Sequence, residues 1–331
     1  LPDDNVIEPV IVSPLVVHNT GMGLAARRTH PEQQTGADHF EPVLNTEADI
    51  EKIQLPRVTV DWEQSKNNYS EMQELFGDLL TVELRGPTRC GTAPMDTYAQ
   101  LRGLDRTFMD LVDNPKFVHK AMSRLMDGTI GQLKQLEQQK ALSLNNRNHY
   151  TGSGGVGYTN QLPSDDYDGE HVRTIDMWGF ATAQIFSEVS PAMHEEFALQ
   201  HEMRLLERCG LNCYGCCEPL HNKLDMVKGI PNVRRISISP WADVEKSAEA
   251  LGDDYVFSWK PNPAVIASET WNPDHVRNII REFLQKTRGC VVEMVMKDTH
   301  TCRHEPERMW EWTEIALEEA KRFAGQDTPL K

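Results

Sequence analysis

The sequence predicts an α/β fold, a (β/α)8 barrel of parallel strands wrapped by helices. Two observations carry this. Strand and helix alternate four times from residue 211 to the end, and the strand starts at 211, 234, 255 and 290 lie about one βαβ unit apart. The length of 331 residues suits a barrel of roughly 250 residues plus insertions. Alternation of this kind puts the strands in a parallel sheet with helices outside it.

Taken in order, the first half is the less regular. Residues 6–17 and 58–60 look extended, 70–80 helical and 81–84 extended. Helices are expected over 96–101 and 105–111. A long one follows from 115 to about 142, with Asn114 as its cap and Pro115 at its first position, where a missing N–H costs nothing. Residues 143–172 are polar and glycine-rich.

In the second half a helix is predicted over 191–208, with Pro191 near its start and Gly210 as its stop. A strand at 211–216 is followed by a helix at 220–228 that Gly229 stops. The RRISIS of 234–239 alternates as a strand does, and a helix at 243–251 ends at Gly252. After a strand at 255–260, Asn272 and Pro273 cap and open a helix to 288, stopped by Gly289. A strand at 290–296 and an amphipathic helix at 305–323 complete the chain. No linker divides two domains, so one barrel domain is expected over 1–331, with an irregular segment at about 1–57.

Hydrophobic residues make up 39% and charged ones 25%, enough for a packed core. Lys+Arg 34 against Asp+Glu 50 gives −16, which argues against a general nucleic-acid or anionic-membrane binder. A local basic pocket for an anionic ligand remains compatible with that charge. No run approaches the roughly 18 apolar residues of a membrane span, and the longest, 9–17, is interrupted by Ser13 and Pro14. No signal peptide is visible. There are 7 cysteines, of which Cys209, Cys213, Cys216 and Cys217 crowd together. This pattern fits a reducing cytoplasm with metal-binding or reactive thiols rather than a disulfide scaffold.

In a (β/α)8 barrel the reactive groups lie at the C-terminal ends of the strands. The first C-terminal strand leads into Cys216-Cys217-Glu218-Pro219-Leu220-His221, the second into Ser239-Pro240-Trp241, and the third ends at Lys260-Pro261-Asn262. The fourth runs into Lys297-Asp298-Thr299-His300-Thr301-Cys302-Arg303-His304. A zinc ion needs three or four N, S or O ligands at about 2.0–2.3 Å. Cys216 or Cys217, with His300 or Cys302, would supply them. Cys213 and Cys216 form a C-x-x-C, but at a strand end rather than at the helix N-terminus its redox chemistry needs. Cys209 reads as a helical core residue.

Glu293 interrupts an apolar strand, so it either points into the barrel or lies at the solvated rim. For Lys260 and Asp298 the plain reading is a rim salt bridge. GSGGVG at 152–157 matches G-x-G-x-x-G, but no helix pattern follows it, and this excludes the dinucleotide reading. A flexible loop over the barrel mouth is expected there, with backbone amides able to meet an anion. The acidic stretch 165–170 reads as a solvated loop, and Trp310 and Trp312 as packing residues.

Four stretches carry a family resemblance: RGLDRTFMDLVDNPKFVHKAMSRLMD at 102–127, NCYGCCEPLHNKLDMVKGIPNVRRISIS at 212–239, YVFSWKPNPAVI at 255–266 and KDTHTCRHEPERMWEW at 297–312. Over roughly residues 80–325 the chain resembles the uroporphyrinogen decarboxylase superfamily, and within it the corrinoid-dependent methyltransferases more than the true decarboxylases. The resemblance implies a (β/α)8 barrel and zinc held by a His-x-Cys and a later Cys. Laid on this chain, the histidine position is Tyr214, a departure, and Cys216 or Cys217 keeps the thiol. The last ligand falls at His300 or Cys302. The arginine-rich N-terminal signature of true decarboxylases is not visible.

The function so implied is transfer of a methyl group from a methoxylated or methylated small molecule to the cobalt of a separate corrinoid protein, assisted by zinc as a Lewis acid. Glu218 would be a fourth ligand or a proton handler and Asp298 a catalytic neighbour, with Tyr214, Lys260 and Glu293 toward the substrate. Two other readings stand beside it. One is decarboxylation of a porphyrinogen-like or other acid, which needs cations near the strand ends, where Lys260, Lys297 and Arg303 lie. The other is a non-catalytic barrel that binds a corrinoid protein. A homo-oligomer fits any of them.

Overall fold

A computed structural model describes residues 3–30 and 39–326. Its elements begin with β1 (Val10–Pro14), β2 (Val16–Asn19), β3 (Arg27–Thr29), β4 (His39–Glu41), α1 (Glu47–Ile50), β5 (Val58–Asp61) and α2 (Trp62–Phe76). Next come β6 (Thr81–Arg85), β7 (Cys90–Thr92), α3 (Pro94–Arg102), α4 (Leu104–Asp113), α5 (Pro115–Gln138), β8 (Tyr150–Gly152), β9 (Gly155–Val156) and β10 (Trp178–Ala181). α6 (Pro191–His194), a π-helical turn (Glu195–Leu199) and α7 (Gln200–Leu206) form one continuous rod. The rest is β11 (Leu211–Tyr214), α8 (Leu224–Lys228), β12 (Val233–Ile238), α9 (Val244–Leu251), β13 (Val256–Trp259), α10 (Ala264–Ala267), α11 (Pro273–Lys286), β14 (Val291–Met294) and α12 (Glu307–Gln326).

The fold is mixed α/β. Six parallel strands lie in the order β14-β13-β12-β11-β10-β7, and β1 pairs with β6 in a second parallel sheet of 2 strands. The pairs β2-β5, β3-β4 and β8-β9 are antiparallel. The strand–helix alternation read from the second half is present, and its caps explain the helix starts. Asp243 accepts the Lys246 N–H at 3.1 Å and Asn272 the His275 N–H at 3.0 Å, each tying down an N–H that the helix itself leaves open.

Several boundaries differ from expectation. α2 begins at Trp62 rather than near 70, because Asp61 caps it by accepting the Gln64 N–H at 2.9 Å. α5 stops at Gln138, and Lys140 then takes φ 56. α8 begins only at Leu224, since residues 220–223 form a turn. The helix expected over 191–208 carries the π turn and ends at Leu206, which leaves Cys209 in a buried turn. Trp312 packs in the core as expected, whereas Trp310 stays 47% exposed.

The two faces of the large sheet differ. Ile236, Ile238, Phe257 and Trp259 point into a core closed by Leu251, Val276, Ile280, Phe283 and Ile315 from the helices. On the opposite face the register aligns Ser237 with Ser258 and Ser258 with Glu293, because successive side chains alternate across a strand. Arg235 shares that polar face. This is why RRISIS alternates although it lies in a parallel sheet, where strands more often read as continuous apolar runs.

The glycine-rich segment is a tight hairpin packed against this polar face, not a flexible loop over it. Arg235 donates to Thr151 Oγ1 and to the Val156 carbonyl, both at 2.8 Å, while Ser153 Oγ lies 3.1 Å from Ser237 Oγ. Gly152, at φ 137, leaves no room for a Cβ against the Phe180 ring, and Gly155 lies flat on the Arg235 guanidinium. The glycines therefore serve close approach of backbone to side chain rather than phosphate binding.

Candidate active site

The C-terminal end of β11 turns at Gly215, which has φ 89, and places Cys216 and Cys217 side by side with their sulfurs 3.6 Å apart. Lys297, just past β14, donates to Cys216 Sγ at 3.1 Å and to Cys217 Sγ at 3.6 Å. Asp298 pairs with Lys297 at 3.1 Å, and its Oδ2 lies 3.9 Å from Cys217 Sγ. Two turns more than 80 residues apart thus meet around one thiol pair. The Cys217 thiol beside it, with Lys297 and Ser153, outweighs burial and brings the Cys216 thiol down to about 5. Cys217, next to that thiolate and partly buried, is pushed well above the ordinary thiol value. Burial works against the Lys297 ammonium, yet the Cys216 thiolate and Asp298 hold it above the usual lysine value.

Glu218 fixes this turn from below. It is fully buried, and its Oε2 accepts the Cys216 N–H at 3.0 Å. Its Oε1 accepts the Thr182 hydroxyl at 2.8 Å and the Ala183 N–H at 3.3 Å. Burial pushes its carboxyl up to about 7 against those hydrogen bonds. Asp96, from α3, is also raised by burial, and the Cys216 thiolate adds to the effect.

Tyr214 is buried away from solvent. Its hydroxyl donates to Glu202 Oε2 at 2.9 Å and lies 2.7 Å from His194 Nε2. The π turn between His194 and Glu202 lets the rod present both side chains to Tyr214. Burial lowers His194 to about 3 and raises Glu202 to about 8. Glu202 Oε1 and His194 Nδ1 have no hydrogen-bond partner.

A carboxyl raised in the folded state keeps its proton where the unfolded chain has lost it. Glu202 therefore lowers stability as pH rises from 4.5 toward about 8, at a slope of at most about 1.4 kcal/mol per pH unit. Other groups titrate in the same range with the opposite sign, so the wild-type profile alone is not diagnostic. The difference between Glu202→Gln and wild type isolates the carboxyl. The variant is expected to gain in relative stability between about pH 6 and about pH 8 in denaturant melts. A difference that does not change with pH would mean that Glu202 is charged throughout.

A separate polar chain runs along the sheet face. Lys260 Nζ donates to the Ser258 carbonyl at 3.2 Å and to Ser258 Oγ, and Ser258 Oγ donates to Glu293 Oε1. Arg235 Nε lies 2.9 Å from Glu293 Oε1, and its guanidinium covers the Trp178 ring at 4.9 Å. The rim salt bridge expected for Lys260 and Asp298 does not form. Lys260 is only 1% exposed, and burial brings it down to about 8. Glu293 lies on the polar face of the sheet opposite Ser258, with its side chain 25% exposed.

The expected zinc ligands do not converge. His300 is exposed, and Cys302 packs against the apolar core cluster. Among the described residues no group of three or more His, Cys, Asp or Glu side chains is placed to hold a metal ion. The ammonium of Lys297 stands against both sulfurs, at 3.1 and 3.6 Å. Cys216, Cys217, His300 and Cys302 therefore do not fit zinc in this geometry, and the oxygens of Glu218 are already engaged. Sequence reasoning missed Ser153, Thr182, Asp96, His194 and Glu202. Only Ser153 carried a signal, as the one side chain with a functional group inside the glycine run.

No family model matches the chain, and no curated protein does. Among solved structures that match, a methyltransferase from Methanosarcina mazei is similar with a TM-score of 0.44 and 10% identity, over 81% of this chain and 72% of its own. Among the described residues no helix is long and apolar enough to cross a membrane.

Proposed function

We propose that the chain is an enzyme of methyl transfer, built as a single (β/α)8 barrel to which both parallel sheets belong. The observation that supports it most is the Cys216 sulfur, 3.1 Å from the Lys297 ammonium at the strand ends. A thiolate held in this way is an activated nucleophile, and a methyl carbon is the least hindered centre it can attack. The sequence resemblance supplies the substrate classes: a methylated or methoxylated small molecule as donor and the cobalt of a corrinoid protein as acceptor.

Cys216 Sγ attacks the methyl carbon. The C–S bond forms as the carbon–heteroatom bond breaks, and the electron pair leaves on the heteroatom. Lys297 gives that atom a proton and recovers one from water, to which its side chain is 18% open. Cobalt(I) on the partner then takes the methyl group, and the C–S pair returns to Cys216 as thiolate. Glu218 holds the turn through the Cys216 N–H, so the sulfur stays aimed while its substituent changes. No step passes through zinc.

The test is mass spectrometry of the protein after incubation with a methoxylated aromatic, methylamine or methanethiol, followed by addition of cob(I)alamin. One CH2 unit gained on the Cys216 peptide and then lost to cobalt is the expected result. Full methyl transfer to cobalt by Cys216→Ser would overturn it. Stoichiometric zinc that Cys216→Ser loses would restore the metal-assisted route. A second reading, decarboxylation of a small acid, draws on the buried Lys260 beside Arg235. It predicts carbon dioxide release without any methylated peptide.

A further inference from the structure

A second thiol pair lies outside the site. Cys90, the first residue of β7, and Cys209, in the turn before β11, have their sulfurs 3.3 Å apart although the residues are 119 apart in sequence. Both are buried, at 3% and 0% exposed. Gly179 of β10 is the register partner of Cys90. A Cβ at Gly179 would stand 2.6 Å from Cys209 Sγ, so the bare glycine is what lets Cys209 reach across β10 to Cys90. The approach is thus built by three strand units together and is not a chance meeting of flexible side chains.

Cys90 and Cys209 meet on one face of the sheet. Register partners in a parallel pair face the same side, so Cys90 lies on the face of Gly179, and Thr92, two residues on, reaches the Met126 sulfur of α5 from that face at 3.7 Å. The Cys209 sulfur lies there too, against Cys90, Gly179 and the Leu205 carbonyl. Each sulfur thus faces the other between the sheet and the helices.

We propose that Cys90 and Cys209 form a reversible disulfide when the protein meets hydrogen peroxide. One sulfur attacks a peroxide oxygen, the O–O bond breaks, and a sulfenic acid and one water form. The other sulfur then attacks the oxidised one and displaces its oxygen, which leaves as a second water with the remaining thiol proton. Two thiols lose two electrons in all and the peroxide gains them. The bond pins β7 to the turn that leads into β11, the strand that carries the Cys216 turn.

The experiment uses the full chain in a Cys216→Ser/Cys217→Ser background, which removes the exposed thiol pair. The protein is treated with hydrogen peroxide, quenched, denatured and alkylated, and its peptides are mapped. A cross-linked Cys90–Cys209 peptide that dithiothreitol dissolves is the expected result. The oxidised protein should also melt higher, on the order of 5 °C, because the bond closes a long loop in the unfolded chain. In Cys209→Ala or in Cys90→Ala, dimedone should trap a sulfenic acid on the thiol of the pair that remains. Full alkylation of Cys90 and Cys209 after peroxide, while Cys290 and Cys302 have reacted, would overturn the proposal.

Discussion

Alkylation of Cys216 by iodoacetamide is expected to have its pH midpoint at about 5 in the wild type, and to move part of the way up toward the ordinary thiol value of 9.0 in Lys297→Met, since the Cys217 thiol, the largest cause of the lowering, stays in place. The midpoint is the quantity to measure, not the rate at neutral pH. A thiolate of low pKa is more abundant but less nucleophilic, with a Brønsted coefficient of about 0.4–0.5, and the two effects largely cancel near pH 7. Peptide-resolved mass spectrometry across the pH range separates Cys216 from Cys217. The sign follows from the contacts: Lys297 Nζ is nearer Cys216 Sγ than Cys217 Sγ, so removing the ammonium costs mainly the Cys216 thiolate. An unchanged midpoint in Lys297→Met would leave the proposed nucleophile without its activating group.

Arg235→Met is expected to destabilise the fold by about 1–3 kcal/mol, because it leaves the Thr151 hydroxyl and the Val156 carbonyl without their donor. Arg235 is buried, and four partners converge on it: Glu293, Thr151, the Val156 carbonyl and the Trp178 ring. Its loss takes the guanidinium from Glu293, which keeps its hydrogen bond from Ser258, and frees the hairpin that carries Ser153 to the site. Denaturant melts would give the loss. A double variant with Glu293→Gln should recover part of it, since the unpaired charge is then gone. A loss of less than about 1 kcal/mol, within the range of exposed pairs, would show that the hairpin is held by other contacts.

The sequence made legible what depends on local rules. The cap at Asn272 and the alternation of RRISIS follow from periodicity and turn chemistry, and the structure bears them out. The meeting of the Cys216 turn with the Lys297 turn was legible too, because strand ends in an alternating chain fall on one edge of the sheet. What sequence could not give was the partner at that meeting. HTCRH suggested ligands, but the chain beyond Lys297 turns outward, with Asp298 at φ 58 and Arg303 at φ 58, and the ammonium reaches the thiols instead. Nor could it give Lys260 as a buried group, since a lysine at a strand end reads as a rim residue unless the hairpin that covers the sheet face is known. His194 and Glu202 were hidden for a different reason. They lie eight positions apart on one helical run, where a regular period would not present both to the same phenol.

The π-helical turn that resolves this also decides which changes of length the rod can absorb. A helix advances about 100° per residue, and a π turn amounts to one residue inserted into that count. Loss of one residue within 195–199 would close the π turn into regular helix and leave His194 and Glu202 seven positions apart, about 700° of rotation, so both would still face Tyr214. Insertion of one more residue would instead swing Glu202 about a quarter-turn away. Descendants of this chain should therefore tolerate shortening of this segment by one residue but not lengthening.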